Sequence, residues 1–197
     1  MPQERTRKIV ITGIMSAIAI FLGVTRLGYI TWGPASLTIM HIPVIIGAIL
    51  EGPIVGILIG LIFGITSMIQ AAVAPTGPAD VIFTNPLIAV LPRLFIGPVA
   101  WLIWAALKRW PLVGLVLSGA GGSLTNSILV LGAIGIAGSL GSNSVVSILG
   151  ANPWPILTTI FVTNSIPEIG LSAAAVLVLV GAWLRVNVSR RQGANLD

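Results

Sequence analysis

The sequence contains no cysteine, one histidine and only five acidic residues. The missing cysteine excludes disulfides, thiolate metal sites and cysteine nucleophiles. Too few metal-ligand types occur at suitable spacing to propose a metal site. No G-x-x-x-x-G-K-[ST], H-E-x-x-H or G-x-S-x-G occurs, so the chain carries no nucleotide-hydrolysis loop and no hydrolase signature. Charge is scarce altogether. Only 8% of residues are charged, against about 25% in a soluble domain.

What is abundant is apolar. Hydrophobic residues make up 56% of the 197-residue chain, and the mean hydropathy is +1.06. No polar stretch is long enough for a separate soluble domain, so residues 1–197 are read as one integral membrane domain. The net charge of +5 could suggest a nucleic-acid partner. Most basic residues, however, stand at the ends of apolar runs, where they act as topology signals. No nucleic acid is expected. "MPQERTRK" followed by apolar residues has the outline of a signal peptide, but no A-x-A site follows Phe21. It is read as a retained first helix.

A helix crossing the bilayer needs about 20 apolar residues. Six spans are expected: Ile9 to Val24, Leu37 to Leu50, Ile54 to Val73, Val81 to Leu107, Leu112 to Leu140 and Pro155 to Leu184. The second is short enough for a tilted or re-entrant segment. Turn formers fill the connectors "GYITWGPAS", "EGP", "APTGPAD", "KRWP" and "GSNSVVSILGANPW". Arg5, Arg7 and Lys8, then Lys108 and Arg109, then Arg185, Arg190 and Arg191 all fall on one side of a six-span chain. That side is the cytoplasm, so both termini are expected inside. The fold class is thus an all-α membrane protein of six transmembrane helices. No internal repeat stands out.

Polar groups within the spans mark the candidate site. A guanidinium at the bilayer centre costs about 2.5–3.5 kcal/mol even on lenient scales, so Arg93 must face protein, water or a ligand. Glu168, midway along span six, is its natural counter-charge. Asn164 stands one turn before Glu168 on the same face. Asn85 lies two turns before Arg93, and Asn126 lies within span five. Pro86, Pro92 and Pro167 free backbone carbonyls at a similar depth, which is tolerated only against protein or a cavity. These residues converge if spans four, five and six pack together. Two readings stay open: an Arg93–Glu168 pair that only clamps helices, or a polar cavity for cargo in the outer half of the membrane. Tyr29 and Trp32, with Arg26, form a lid or an interfacial belt, as do Asn152 and Trp154. His41 opens span two as a packed residue or a substrate contact. Glu51, at the "EGP" turn, is expected to be solvated. Few aromatics are expected near the pocket, which argues against a large flat ligand.

Small residues give a second signal. Gly13-x-x-x-Ala17 and Ala19-x-x-x-Gly23 in span one would let a partner helix approach closely. Gly56, Gly60 and Gly64 in span three suit packing within the bundle.

The stretches "TIMHIPVIIGAILEGPIVGILIGLIFGITS", "NPLIAVLPRLFIG" and "TNSIPEIGLSAA" carry a resemblance over nearly the whole chain. It resembles the substrate-binding S components of energy-coupling factor (ECF) vitamin transporters, and "HIPVIIGA…NPLIAVLPR" is most similar to the pantothenate type. The resemblance implies a non-enzymatic subunit in a prokaryotic cytoplasmic membrane, without a cofactor. It would capture a vitamin outside with loops one, three and five and spans four to six. It would then dock on a membrane scaffold subunit bound to two ABC-type ATPases. Docking in that family uses an A-x-x-x-A motif in span one. Here the nearest match is Gly13-x-x-x-Ala17, with Ser16 and Ala19 beside it. Candidate substrate contacts are then Arg93, Asn85, Asn126, Asn164, Glu168, Trp32, Tyr29 and His41. Folate, riboflavin, a pyrimidine precursor and cobalamin are alternative substrates. A stand-alone proton-coupled carrier and a lipid-head-group enzyme are alternative classes. The enzyme would need a cluster of acidic or histidine residues at one membrane surface, and the sequence has none.

Overall fold

A computed structural model describes residues 2–32, 35–75 and 77–193; for residues 2, 30–32, 35–37 and 185–193 it describes the backbone alone. Prolines punctuate the chain. α2 (Ile42–Glu51), α3 (Pro53–Val73), α4 (Pro86–Ala89), α5 (Leu91–Ala106), α6 (Pro111–Ser139) and α8 (Trp154–Ile160) each open with a proline in the first turn. There its missing N–H has no partner within the helix it opens. α1 (Pro2–Val24), α7 (Asn143–Leu149) and α9 (Ile166–Gly193) complete the helices. A 3-10 turn spans Pro78–Thr84, and a π turn spans Phe161–Ser165.

Among the described residues, five helical segments are long and apolar enough to cross a membrane: Gln3–Val24, Pro53–Val73, Pro86–Ala106, Pro111–Ser139 and Trp154–Leu184. Large apolar side chains such as Val73, Leu102 and Val178 lie exposed along them, which suits lipid as solvent. α2 is different. Its ten residues rise about 15 Å, half the hydrocarbon thickness. Residues 42–49 are all buried, so protein encloses it.

Two departures from the sequence reading follow from local pairing. The second apolar segment does not begin at Leu37. Residues 35–38 form β2 (Ala35–Thr38), antiparallel to β1 (Tyr29–Trp32), with Tyr29 opposite Thr38. The fold is helical, as expected, and among the described residues it adds one small hairpin between α1 and α2. The fourth segment also begins later than Val81, because Pro78–Thr84 winds as a 3-10 turn ahead of Pro86. Gly52 makes the elbow between α2 and α3 at φ 101°, a conformation that side-chain-bearing residues avoid.

The core clusters around α2. Val44, Ile45 and Ile49 pack with Ile59 and Phe63 of α3, Ile96 and Ala100 of α5, Leu115 of α6 and Val176 of α9. α3 and α5 touch backbone to backbone. A Cβ at Gly56 would come 2.8 Å from the Cα of Gly97, closer than carbon atoms pack. α1 is the least covered of the long helices. Its Arg7 is tied to Glu51 at 2.7 Å. Glu51, expected in solvent, has a side chain only 5% exposed, because Arg7 reaches over from α1 to cover it.

Candidate functional site

The break between α4 and α5 places Arg93. In a continuous helix the carbonyl of Ile88 would accept from the N–H of residue 92, but Pro92 has none. The guanidinium of Arg93 donates to that Ile88 oxygen instead. The ring of Phe63 from α3 lies 5.5 Å from the guanidinium carbon on one side, and Phe83 from the 3-10 turn lies 5.4 Å away. Both distances suit cation–π attraction. Arg93 is 5% exposed, and its Nε has no partner among the described residues. The prolines and the cation in one span thus belong together: one leaves a carbonyl unpaired, the other fills it.

Glu168 does not pair with Arg93. Its Oε1 accepts the backbone N–H of Thr38 at 2.5 Å. This N–H is on the edge of β2, at the end of the hairpin. One turn along α9, Ser172 Oγ lies 2.6 Å from His41 Nε2. The clamp reading of Arg93 and Glu168 is therefore replaced by two separate arrangements. A buried carboxylate holds a strand end, and a buried guanidinium holds a helix break.

His41 is 1% exposed and Asn126 is 9% exposed, and His41 Nδ1 and Asn126 Oδ1 have no partner among the described residues. Antiparallel packing of α5 and α6 sets Gly122 against Ala100 and against Ile45 of α2. Asn126, one turn further along α6, is thereby carried toward the Arg93 end of α5. Arg93 acts electrostatically on both His41 and Tyr29. Partial burial, and next the Asp80 carboxylate, push the Tyr29 phenol up, so it stays a neutral hydroxyl. His41 and Tyr29 thus stand within electrostatic reach of Arg93, and Asn126 is a further buried polar group on the facing helix α6. Each deeply buried polar atom left unmatched costs about 1–3 kcal/mol. A guanidinium donor, an imidazole nitrogen and an amide oxygen together suit a small ligand carrying an anion and hydroxyl or amide groups.

Other expected residues have local partners of their own or lie outside the described side chains. Asn85 is exposed, and its side chain accepts from the N–H of Leu87, capping α4. Asn164 sits half-buried in the π turn and accepts from the Thr163 hydroxyl at 3.0 Å. The side chain of Trp32 lies outside the described residues. Trp154 donates to Ser139 Oγ at 3.3 Å and packs on Gly135. Two surface depressions, one between α5 and α6 around Phe95 and Thr125 and one along α8 at Thr158 and Thr159, contain none of the site residues. On α1, Gly13 and Ala17 are exposed, and a Cβ at Gly13 would meet nothing within 4 Å. Ser16 and Ala19 are 5% and 1% exposed, turned into the bundle by the 100° helical step.

The sequence reading passed over Phe63, Phe83, Thr38 and Ser172. The last had a signal: it follows Glu168 by four residues and so shares its helix face. The two phenylalanines had none, because they come from different elements.

Residues 7–180 match the sequence model of the family described as "ECF transporter, substrate-specific component". The chain is 27% identical to the Pantothenic acid transporter PanT of Lactococcus lactis subsp. cremoris, across 92% of this chain and 96% of that one. It is 33% identical to the Pantothenate transporter PanT of Leuconostoc mesenteroides subsp. mesenteroides, across 56% and 55% of the two chains. A match over most of the chain, on a multi-pass helical membrane fold, shows a transport protein rather than an enzyme. This chain belongs to the ECF transporter family as a substrate-specific component.

Proposed function

We propose that this chain is the pantothenate-binding subunit of an ATP-driven ECF importer in a prokaryotic cell membrane. The carrying observation is its near full-length similarity to a protein named pantothenic acid transporter. Pantothenate offers a carboxylate, two hydroxyls and an amide. Those groups complement the unmatched donor of Arg93 and the unmatched atoms of Asn126 and His41.

In this reading the chain passes the membrane six times, with α2 as a short, protein-enclosed pass and both termini in the cytoplasm. Basic residues then collect inside, as the positive-inside bias requires. Substrate enters from outside beneath the β1–β2 hairpin. Power comes from elsewhere: a scaffold subunit with two ATPases, since this chain has no nucleotide loop. Docking uses the open face of α1 at Gly13 and Ala17. Ser16 and Ala19 leave the docking set because they pack inward.

The test is equilibrium binding of labelled pantothenate to the purified chain in detergent or nanodiscs. Saturable binding, competed by unlabelled pantothenate but not by folate or riboflavin, is expected. No binding, together with another vitamin found by native mass spectrometry, would overturn the substrate assignment.

A further inference from the structure

A two-stranded hairpin leaves N–H groups unpaired along its outer edges. In β2 the last of these belongs to Thr38, and Glu168 of α9 takes it at 2.5 Å. Three residues on, His41 places Nε2 against Ser172 Oγ at 2.6 Å. Glu168 and Ser172 are four residues apart, so one face of α9 grips one short stretch of chain at two points. The neighbouring N–H of that stretch, on Ile39, is donated to Gly28 at 2.9 Å. Residues 38–41 are thus held between the hairpin's own backbone and α9. They form the joint at which the outer hairpin becomes the buried helix α2.

His41 is fixed by this grip. With Nε2 engaged by Ser172, the ring keeps one orientation, and Nδ1 is the nitrogen left without a partner among the described residues. Glu168 meanwhile makes no contact with the guanidinium it was expected to neutralise, because its engaged oxygen faces Thr38.

We propose that Glu168 and Ser172 are positioning residues rather than substrate ligands: together they fasten the 38–41 joint and so aim His41 Nδ1 at the bound substrate. The proposal rests on the pantothenate reading for its ligand but not for its mechanism. Glu168 acts as a hydrogen-bond acceptor, so its charge is dispensable and its geometry is not. Ser172 acts through its hydroxyl.

The test compares Glu168→Ala with Glu168→Gln and Ser172→Ala with Ser172→Thr in the full chain, using two readouts. The first is the dissociation rate of labelled pantothenate. Both alanine variants should release it roughly tenfold to a hundredfold faster, the loss of one strong buried hydrogen bond. Glu168→Gln keeps an acceptor oxygen and Ser172→Thr keeps a hydroxyl, and each should recover most of that loss. The second readout is hydrogen–deuterium exchange of the peptide covering residues 38–42, measured without ligand. It should quicken in both alanine variants and return toward wild type in Glu168→Gln and Ser172→Thr. If Glu168→Gln is as impaired as Glu168→Ala in both readouts, Glu168 acts by charge and the proposal fails. Unchanged exchange in both alanine variants would also overturn it. If wild type binds no pantothenate yet exchange follows the expected order, the substrate reading falls and the positioning role stands.

Discussion

Arg93 supplies the hydrogen bond that Pro92 denies to Ile88. A proline in a membrane helix leaves a carbonyl in a medium with no water to satisfy it. A guanidinium in the same medium needs acceptors and polarisable faces. Each resolves the other's cost, and Phe63 and Phe83 complete the guanidinium's surroundings.

This pairing gives the first prediction. Arg93→Ala should lower the thermal midpoint in detergent, since it orphans the Ile88 carbonyl at a cost of about 1–3 kcal/mol. Adding Pro92→Ala restores a backbone donor, so the double variant should regain part of that stability. Pantothenate binding should stay lost in both, because no donor replaces Nε. A double variant no more stable than Arg93→Ala would show that the proline and the arginine are not coupled in this way.

Glycines on two helices should respond oppositely. A Cβ at Gly60 would overlap the carbonyl oxygen of Arg93, where α3 lies against α5. Gly60→Ala should destabilise by roughly 1–3 kcal/mol, as overpacked cores do, and weaken binding by shifting Arg93. Gly13→Leu projects into open space, so thermal midpoint and vitamin binding should hold. Copurification with the scaffold and ATPases should be lost. Normal assembly of Gly13→Leu would move docking off this face of α1.

The contrast shows what the sequence could and could not reveal. The order of the long spans was legible because a bilayer demands long apolar runs, and five of the six expected segments stand close to where hydropathy put them. The second was legible as apolar but not as a ten-residue helix after a hairpin, because β pairing at 29–38 depends on a partner strand rather than on local composition. Arg93 was legible as costly. Its partners were not, since the Ile88 carbonyl carries no side-chain signal and Phe83 arrives from the 3-10 turn. The pairing of Glu168 with Arg93 was inferred from opposite charge alone. Depth in the membrane does not fix which way a side chain on α9 turns, and Glu168 turns to Thr38.

The two asparagines flanking the site separate capping from binding. Asn85 caps α4, so Asn85→Ala should cost about 0.5–2 kcal/mol of stability and leave binding little changed. Asn126 is buried with Oδ1 unmatched, so Asn126→Ala should cost little or no stability. Its pantothenate Kd should rise about tenfold or more, the loss of one buried hydrogen bond. Equal binding by Asn126→Ala and wild type would take Asn126 out of the site.

Topology can be tested without background, because the chain has no cysteine of its own. Ala79, Lys108 and Asn143 are exposed between the candidate membrane-crossing segments, and each can carry a single introduced cysteine. If α2 counts as a pass, Ala79→Cys and Asn143→Cys should react with an impermeant maleimide in intact cells. Lys108→Cys should react only after the membrane is opened. If α2 were a surface dip returning to the side it came from, every later segment would invert. Lys108→Cys would then label from outside while the other two stayed silent, and the N- and C-termini would face opposite compartments. Inversion would place Lys108 and Arg109 outside, against the positive-inside bias. The six-pass arrangement with both termini in the cytoplasm therefore stands or falls on the labelling of Lys108→Cys.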